Sequence, residues 1–157
     1  MQEAKNGKPE KHYKFVVEFG LHCFTKGPNL HQGKSLDDFD KKLHYSDTRE
    51  TRIFCFTRYE LSKELPTIAQ SINQNPCYNT GKGNFFTLKM VDISGREEEY
   101  EVYFKVSRER KGLLRLYVES AYTRDANYDS SQPAKRKINF FVIAHNIQAN
   151  KPIKIQK

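Results

Sequence analysis

The stretch EEYEVYFKVSRERKGLLRLYVESAYT, residues 98–123, constrains the fold of this chain more than any other. Tyr100, Val102, Phe104 and Val106 alternate with polar residues, the period of a strand with one buried face. Residues 113–123 alternate in the same way, and the charged link between the two runs ends in Gly112. Two such runs joined this closely make a β-hairpin. Its register follows from charge. A five-residue loop at 108–112 sets Lys105 against Arg115 and Glu101 against Glu119, and directly opposed like charges destabilise. A three-residue loop, Arg110-Lys111-Gly112, puts glycine where a left-handed residue is needed. It pairs Ser107 with Arg115, Lys105 with Tyr117 and Tyr103 with Glu119, leaving Lys105 diagonally near Glu119. The outward face then carries Lys105, Ser107, Arg115, Tyr117 and Glu119.

Other segments fill out the layout. In YKFVVEFGLHCF (13–24), Tyr13, Phe15, Val17, Phe19, Leu21 and Cys23 share one parity, a strand with one buried face. His22 falls on the opposite face unless Gly20 marks a bulge. Residues 26–50 read as a long polar loop with one short helix near 36–43. RIFCF (52–56) is a short strand, and Thr57 followed by Glu60 fits a capping box opening a helix. Leu61, Leu65, Ile68, Ala69 and Ile72 continue it as one apolar stripe, with Pro66 marking a kink or a second start. FFTLKMVDI (85–93) and KINFFVIAH (137–145) read as strands. The expectation is α+β: a single curved antiparallel sheet of about five strands, one main helix over about 58–73 on one face, the other face partly open. Residues 1–12 read as a flexible leader, 13–146 as one domain, and 147–157 as a basic tail or edge strand.

A chain of 157 residues with 13% aromatics has the length and the packing material for one ordinary domain. No apolar run reaches the roughly 18 residues of a membrane span, so no membrane partner is expected. The odd trio Cys23, Cys55 and Cys77 is no disulfide framework, which points to a reducing cytoplasm. Two echoing phrases, HCFTK (22–26) and FCFTRY (54–59), place Cys23 and Cys55 in similar surroundings, facing each other across strands. Their spacing does not suit zinc, and neither a metal nor a cofactor is expected. HExxH, the Walker loop, GxGxxG and GxSxG are all missing from the sequence, which disfavours metalloprotease, nucleotide-binding and serine hydrolase chemistry. The formal charge is +8 and unevenly placed. Residues 132–157 hold Lys135, Arg136, Lys137, Lys151, Lys154 and Lys157 with no acid, and 105–115 hold five cations against Glu109. A surface so biased suits RNA or another polyanion, or an acidic protein partner.

The hairpin face suggests a route to RNA cleavage by transphosphorylation. Glu119 can take the 2′-OH proton, Lys105 and Arg115 can neutralise the phosphorane, and His22 or His145 can protonate the leaving oxygen. Arg58 at the start of a helix is a further phosphate ligand. Tyr117 and Tyr122 can stack bases, with Arg124, Arg110, Lys111, Lys135 and Arg136 along the backbone. The order of helix and curved sheet, with the hairpin F-x-V-x-R…LRLYVESAY, resembles the broad group of small microbial ribonucleases and toxins that includes barnase-like, RelE-like and EndoU-like folds. That resemblance implies metal-independent RNA cleavage by residues on the sheet, and an antitoxin as a partner. The alternative from the same residues is a non-catalytic nucleic-acid-binding or protein-interaction module.

Overall fold

The computed structural model describes residues 10–91, 94–124 and 131–154. In chain order it holds β1 (Phe15–His22), β2 (Thr25–Lys26), β3 (His44–Ser46), β4 (Thr51–Phe54), α1 (Phe56–Ser62), α2 (Leu65–Gln70), β5 (Cys77–Asn79), β6 (Asn84–Val91), β7 (Glu97–Arg108), β8 (Leu114–Thr123), β9 (Arg136–Ile138) and α3 (Phe140–Gln148). Short 3₁₀ turns at Leu36–Asp38 and Lys41–Leu43 stand in place of the single short helix expected near 36–43. Most of the leader, part of the 124–136 loop and the last three residues lie outside the described residues.

The β7–β8 ladder carries the register that charge predicts near its turn: Ser107 opposite Arg115 and Lys105 opposite Tyr117. Lys111 (φ 57°) and Gly112 (φ 75°) both turn left-handed there. Farther along, the ladder slips. Tyr103 faces Ser120 while Phe104 faces Val118, so Glu119 is bulged out. The slip has a packing cause: strict alternation from Leu114, Leu116 and Val118 would drive Ser120 into the core. One extra residue instead seats Ala121 there, with no exposed surface.

The expected single antiparallel sheet is corrected on three counts. The main sheet has six strands in the order β1-β8-β7-β6-β5-β9, and β1 runs parallel to β8. A separate three-stranded antiparallel sheet, β2-β4-β3, pairs the strand read at 52–56 with two short strands, Thr25–Lys26 and His44–Ser46, at the two ends of the stretch read as loop. The two echoing phrases meet there: Thr25 pairs with Phe54, and the Cys55 N–H donates to the Phe24 carbonyl at 3.0 Å. The single helix over 58–73 is broken in two, with Pro66 in the first turn of α2, where its missing N–H costs nothing. The capping box is absent, because α1 opens at Phe56 behind Cys55, with no side-chain cap.

The third correction is at residues 137–145, read as a strand. Only Arg136–Ile138 extend; Asn139 then stops the strand, its side chain accepting from the Phe141 N–H at 2.8 Å, and α3 begins. Phe140, Ile143 and Ala144, at helical spacing, are the residues buried. An unbroken apolar run such as NFFVIA fits either period, and the cap decides. His145 therefore sits in the last turn of a helix.

α2 and α3 cover one face of the sheet, where Phe86, Tyr100, Val102, Phe104, Leu116 and Val118 pack against Leu65, Ile68, Phe140 and Ile143. Cys23 and Cys77 belong to this core, and burial pushes both thiols up to about 12. Among the described residues, no helix is long and apolar enough to cross a membrane. Asn139→Ala should cost about 1 kcal/mol in urea unfolding, whereas Thr57→Ala should fall within about 0.5 kcal/mol of the parent.

Candidate functional site

The face turned away from α2 and α3 divides into two halves. Over β5–β7 it carries a row of rings: Tyr78 to Phe85 at 5.2 Å, Phe85 stacked on Tyr103 at 5.2 Å, and Tyr103 stacked on Tyr122 at 5.6 Å. Arg58 closes one end, 4.8 Å above Tyr122, and Lys135 the other, 5.6 Å above Tyr78. Beside the row lies Glu101, 2% exposed. Arg124 grips it with two bonds of 2.9 Å, and the Tyr103 hydroxyl donates at 2.6 Å. Burial works to raise this carboxyl, but the hydrogen bonds from Arg124 and Tyr103, with the charge of Arg124, hold it below the usual range. Gln132 adds another bond to Glu101, and Lys135 reaches Glu99 at 3.3 Å, so the segment entering β9 lies over this half. Tyr122, Arg124, Lys135 and Arg58 are thus engaged in packing. The Arg58 guanidinium also donates to the carbonyls of Thr25 (2.7 Å) and His22 (3.4 Å), tying the small sheet to β8.

Over β1 and β8 the face stays more open, and charges gather around Tyr117. Lys105 is opposite it and bonds Glu119 at 3.1 Å. Arg115 lies 4.8 Å from the Tyr117 ring and bonds Glu18. Arg49, from the β3–β4 turn, bonds the Tyr117 hydroxyl. A Cβ at Gly20 would stand 2.5 Å from that hydroxyl and 2.9 Å from the Glu119 carbonyl, so only glycine lets β1 lie this close. His22 sits opposite Ser120, beside Glu119, with its Nε2 2.6 Å from Glu50. That bond is the first cause holding the Glu50 carboxyl below its usual range. The structure therefore gathers Lys105, Arg115, Tyr117, Glu119 and His22 on one patch. It leaves His145 on the far side of the sheet, on α3, 3.4 Å from Lys11. Nothing in the sequence pointed to Glu18, Arg49 and Glu50 as members, since two of them lie in the polar 26–50 stretch.

A third group lies at the end of the sheet where β7 turns into β8. Arg108 ends β7, and Arg110 and Lys111 belong to the turn that follows. Lys14 precedes β1, and its carbonyl accepts from Leu114. Lys82 is in the β5–β6 turn, whose Gly83 abuts the Lys105 side chain, and Arg136 pairs with Asn79 at the start of β9. All six are exposed, and none has a carboxylate partner among the described residues. Glu109, the nearest acid in sequence, accepts from the Arg110 backbone at 3.0 Å.

Comparison with known proteins now adds a lineage. The profile of the YjaZ family matches residues 1–148. The chain belongs to the YjaZ family. Protein YjaZ of Escherichia coli (strain K12) is 33% identical over 149 residues, covering 94% of this chain and 77% of that protein. No solved structure matches. The match spans both sheets and all of α3, so the patch around Tyr117 and the cationic rim lie inside the family region.

Arg124→Ala leaves the Glu101 carboxylate buried without its main partner and should cost about 3–5 kcal/mol in denaturant unfolding. Because the folded carboxyl is lowered, its contribution is present above the ordinary glutamate range and is lost as pH falls through the folded value. Urea midpoints measured downward from pH 5 should therefore drop more steeply for the parent than for Glu101→Gln.

Proposed function

We propose that this protein is a polyanion-binding module whose natural ligand is RNA, held along the rim formed by Lys14, Lys82, Arg108, Arg110, Lys111 and Arg136. The observation that carries this reading is that the six cations are exposed and have no carboxylate partner among the described residues. In contrast, Lys105, Arg115 and Lys89 on the sheet, and Lys135 just before β9, are each matched to a glutamate. The rim runs across six strands, about 24 Å at ordinary strand spacing, long enough to follow several phosphates. Three unpaired thiols fit work in a reducing cytoplasm. Replacing Arg108, Arg110, Lys111 and Arg136 with glutamine should weaken RNA binding. It should also flatten the slope of log affinity against log salt, by about 0.7 for each single-strand phosphate that is no longer neutralised. An unchanged slope would place the ligand elsewhere.

A second reading, metal-independent RNA cleavage in the manner of the ribonuclease toxins, is favoured by one arrangement. His22, backed by Glu50, lies across from Ser120, the residue next to Glu119, with Lys105 bonded to Glu119 and Arg115 on the same face. Glu119 would serve as base, His22 as acid and the two cations as phosphorane ligands. On this reading RNA is cut in EDTA, and Glu119→Ala or His22→Ala slows cutting by about 10²–10⁴ while binding persists. Intact RNA after prolonged incubation with the parent leaves binding as the activity.

A further inference from the structure

The two edges of the main sheet are built differently. β9 is three residues long and shows Arg136 and Lys137 to solvent, a well-protected edge. β1 is eight residues long, and Val16 (40%), Val17 (39%) and Phe19 (39%) remain exposed on it. A long apolar edge of this kind is a template for another strand. On its helix side, Val17 and Phe19 border an apolar groove of about 400 Å³ shared with Pro66, Ala69, Phe140 and Phe141.

We propose that the occupant is a second copy of this chain, paired antiparallel along β1 with the two-fold axis at Val17, so that two six-stranded sheets join into one. The backbone permits this register. The Leu114 N–H donates to the Lys14 carbonyl at 2.9 Å, which starts the parallel ladder. Lys14, Val16 and Glu18 therefore turn toward β8, and Phe15, Val17 and Phe19 turn their N–H and C=O groups outward. Centred on Val17, these outward groups meet their own kind: Val17 faces the partner's Val17, and Phe15 faces the partner's Phe19. That makes about six hydrogen bonds. The segment FVVEF reads almost the same in both directions, so apolar meets apolar on the groove side and the two grooves close on each other. On the opposite side, Val16 faces the partner's Glu18, no like charges stand directly opposite, and the two diagonal Glu18 carboxylates are each bonded by Arg115 of their own chain. Lys14, which has no carboxylate partner among the described residues, lies diagonal to the partner's Glu18, within reach of a long side chain, and the symmetry makes this attraction twice. The charge complementarity is to the chain itself, which favours a second copy over a foreign strand.

Sedimentation of the full chain across the micromolar range should give the mass of a dimer, and Val17→Lys and Phe19→Lys should each give a folded monomer by circular dichroism. Lys14→Glu should weaken the dimer about tenfold, and adding Glu18→Lys should restore it. In a Cys55→Ser background, Val17→Cys should cross-link under mild oxidation, since a hydrogen-bonded pair sets its Cα atoms about 5.5 Å apart, within disulfide range. Val16→Cys should not cross-link. A parent that is monomeric at every concentration overturns the proposal, as does one that dimerises only after residues 1–12 are removed, which gives the edge to the leader. So does a dimer that survives both lysine variants, or equal cross-linking at positions 16 and 17.

Discussion

A strand has two sides, and β7 commits both. Tyr100, Val102, Phe104 and Val106 are consumed by the core under α2 and α3, so Glu99, Glu101, Tyr103 and Lys105 must all face the other way. The rest of that face answers to this allocation. Glu101 is buried there and needs Arg124 and the Tyr103 hydroxyl; Tyr103 in turn completes the row of rings between Phe85 and Tyr122. Farther toward the turn, Lys105 stays in solvent and holds Glu119. One alternating segment thus divides the face into a sealed aromatic half and an open charged half.

The bulge at Glu119 connects this allocation to chemistry. It lets β8 keep an apolar core side through Ala121 while turning Ser120 toward His22 of β1. Around Tyr117, however, the charges balance: Lys105 with Glu119, Arg115 with Glu18, Arg49 with Asp47. A balanced patch has little long-range pull on a polyanion, whereas the strand-end rim keeps its field. Under the proposed function the two regions would take different tasks, capture at the rim and local recognition or proton transfer at the patch.

The hairpin was legible in the sequence because alternation, a glycine at a left-handed position and the cost of opposed like charges all point to one register. The bulge was not, since it depends on Ala121 rather than Ser120 fitting beneath α2 and α3. The strand at 13–24 was legible as a strand, but its parallel pairing and edge position depend on distant β8. The NFFVIA run carried no period that separates strand from helix; the Asn139 cap made that choice. The patch was half visible. Lys105, Arg115, Tyr117 and Glu119 share a hairpin face, but Arg49 and Glu50 arrive through the small sheet, whose partner strands of two and three residues at 25–26 and 44–46 are too short to leave a pattern.

The core thiols have a chemical consequence. Burial raises both core thiols well above the ordinary cysteine range, so thiolate is scarce at neutral pH, and Cys23 and Cys77 are also sealed from solvent. Peroxide and alkylating reagents attack the thiolate, so in the folded protein they meet Cys55 first. Labelling at the other two then clocks how often the interior opens.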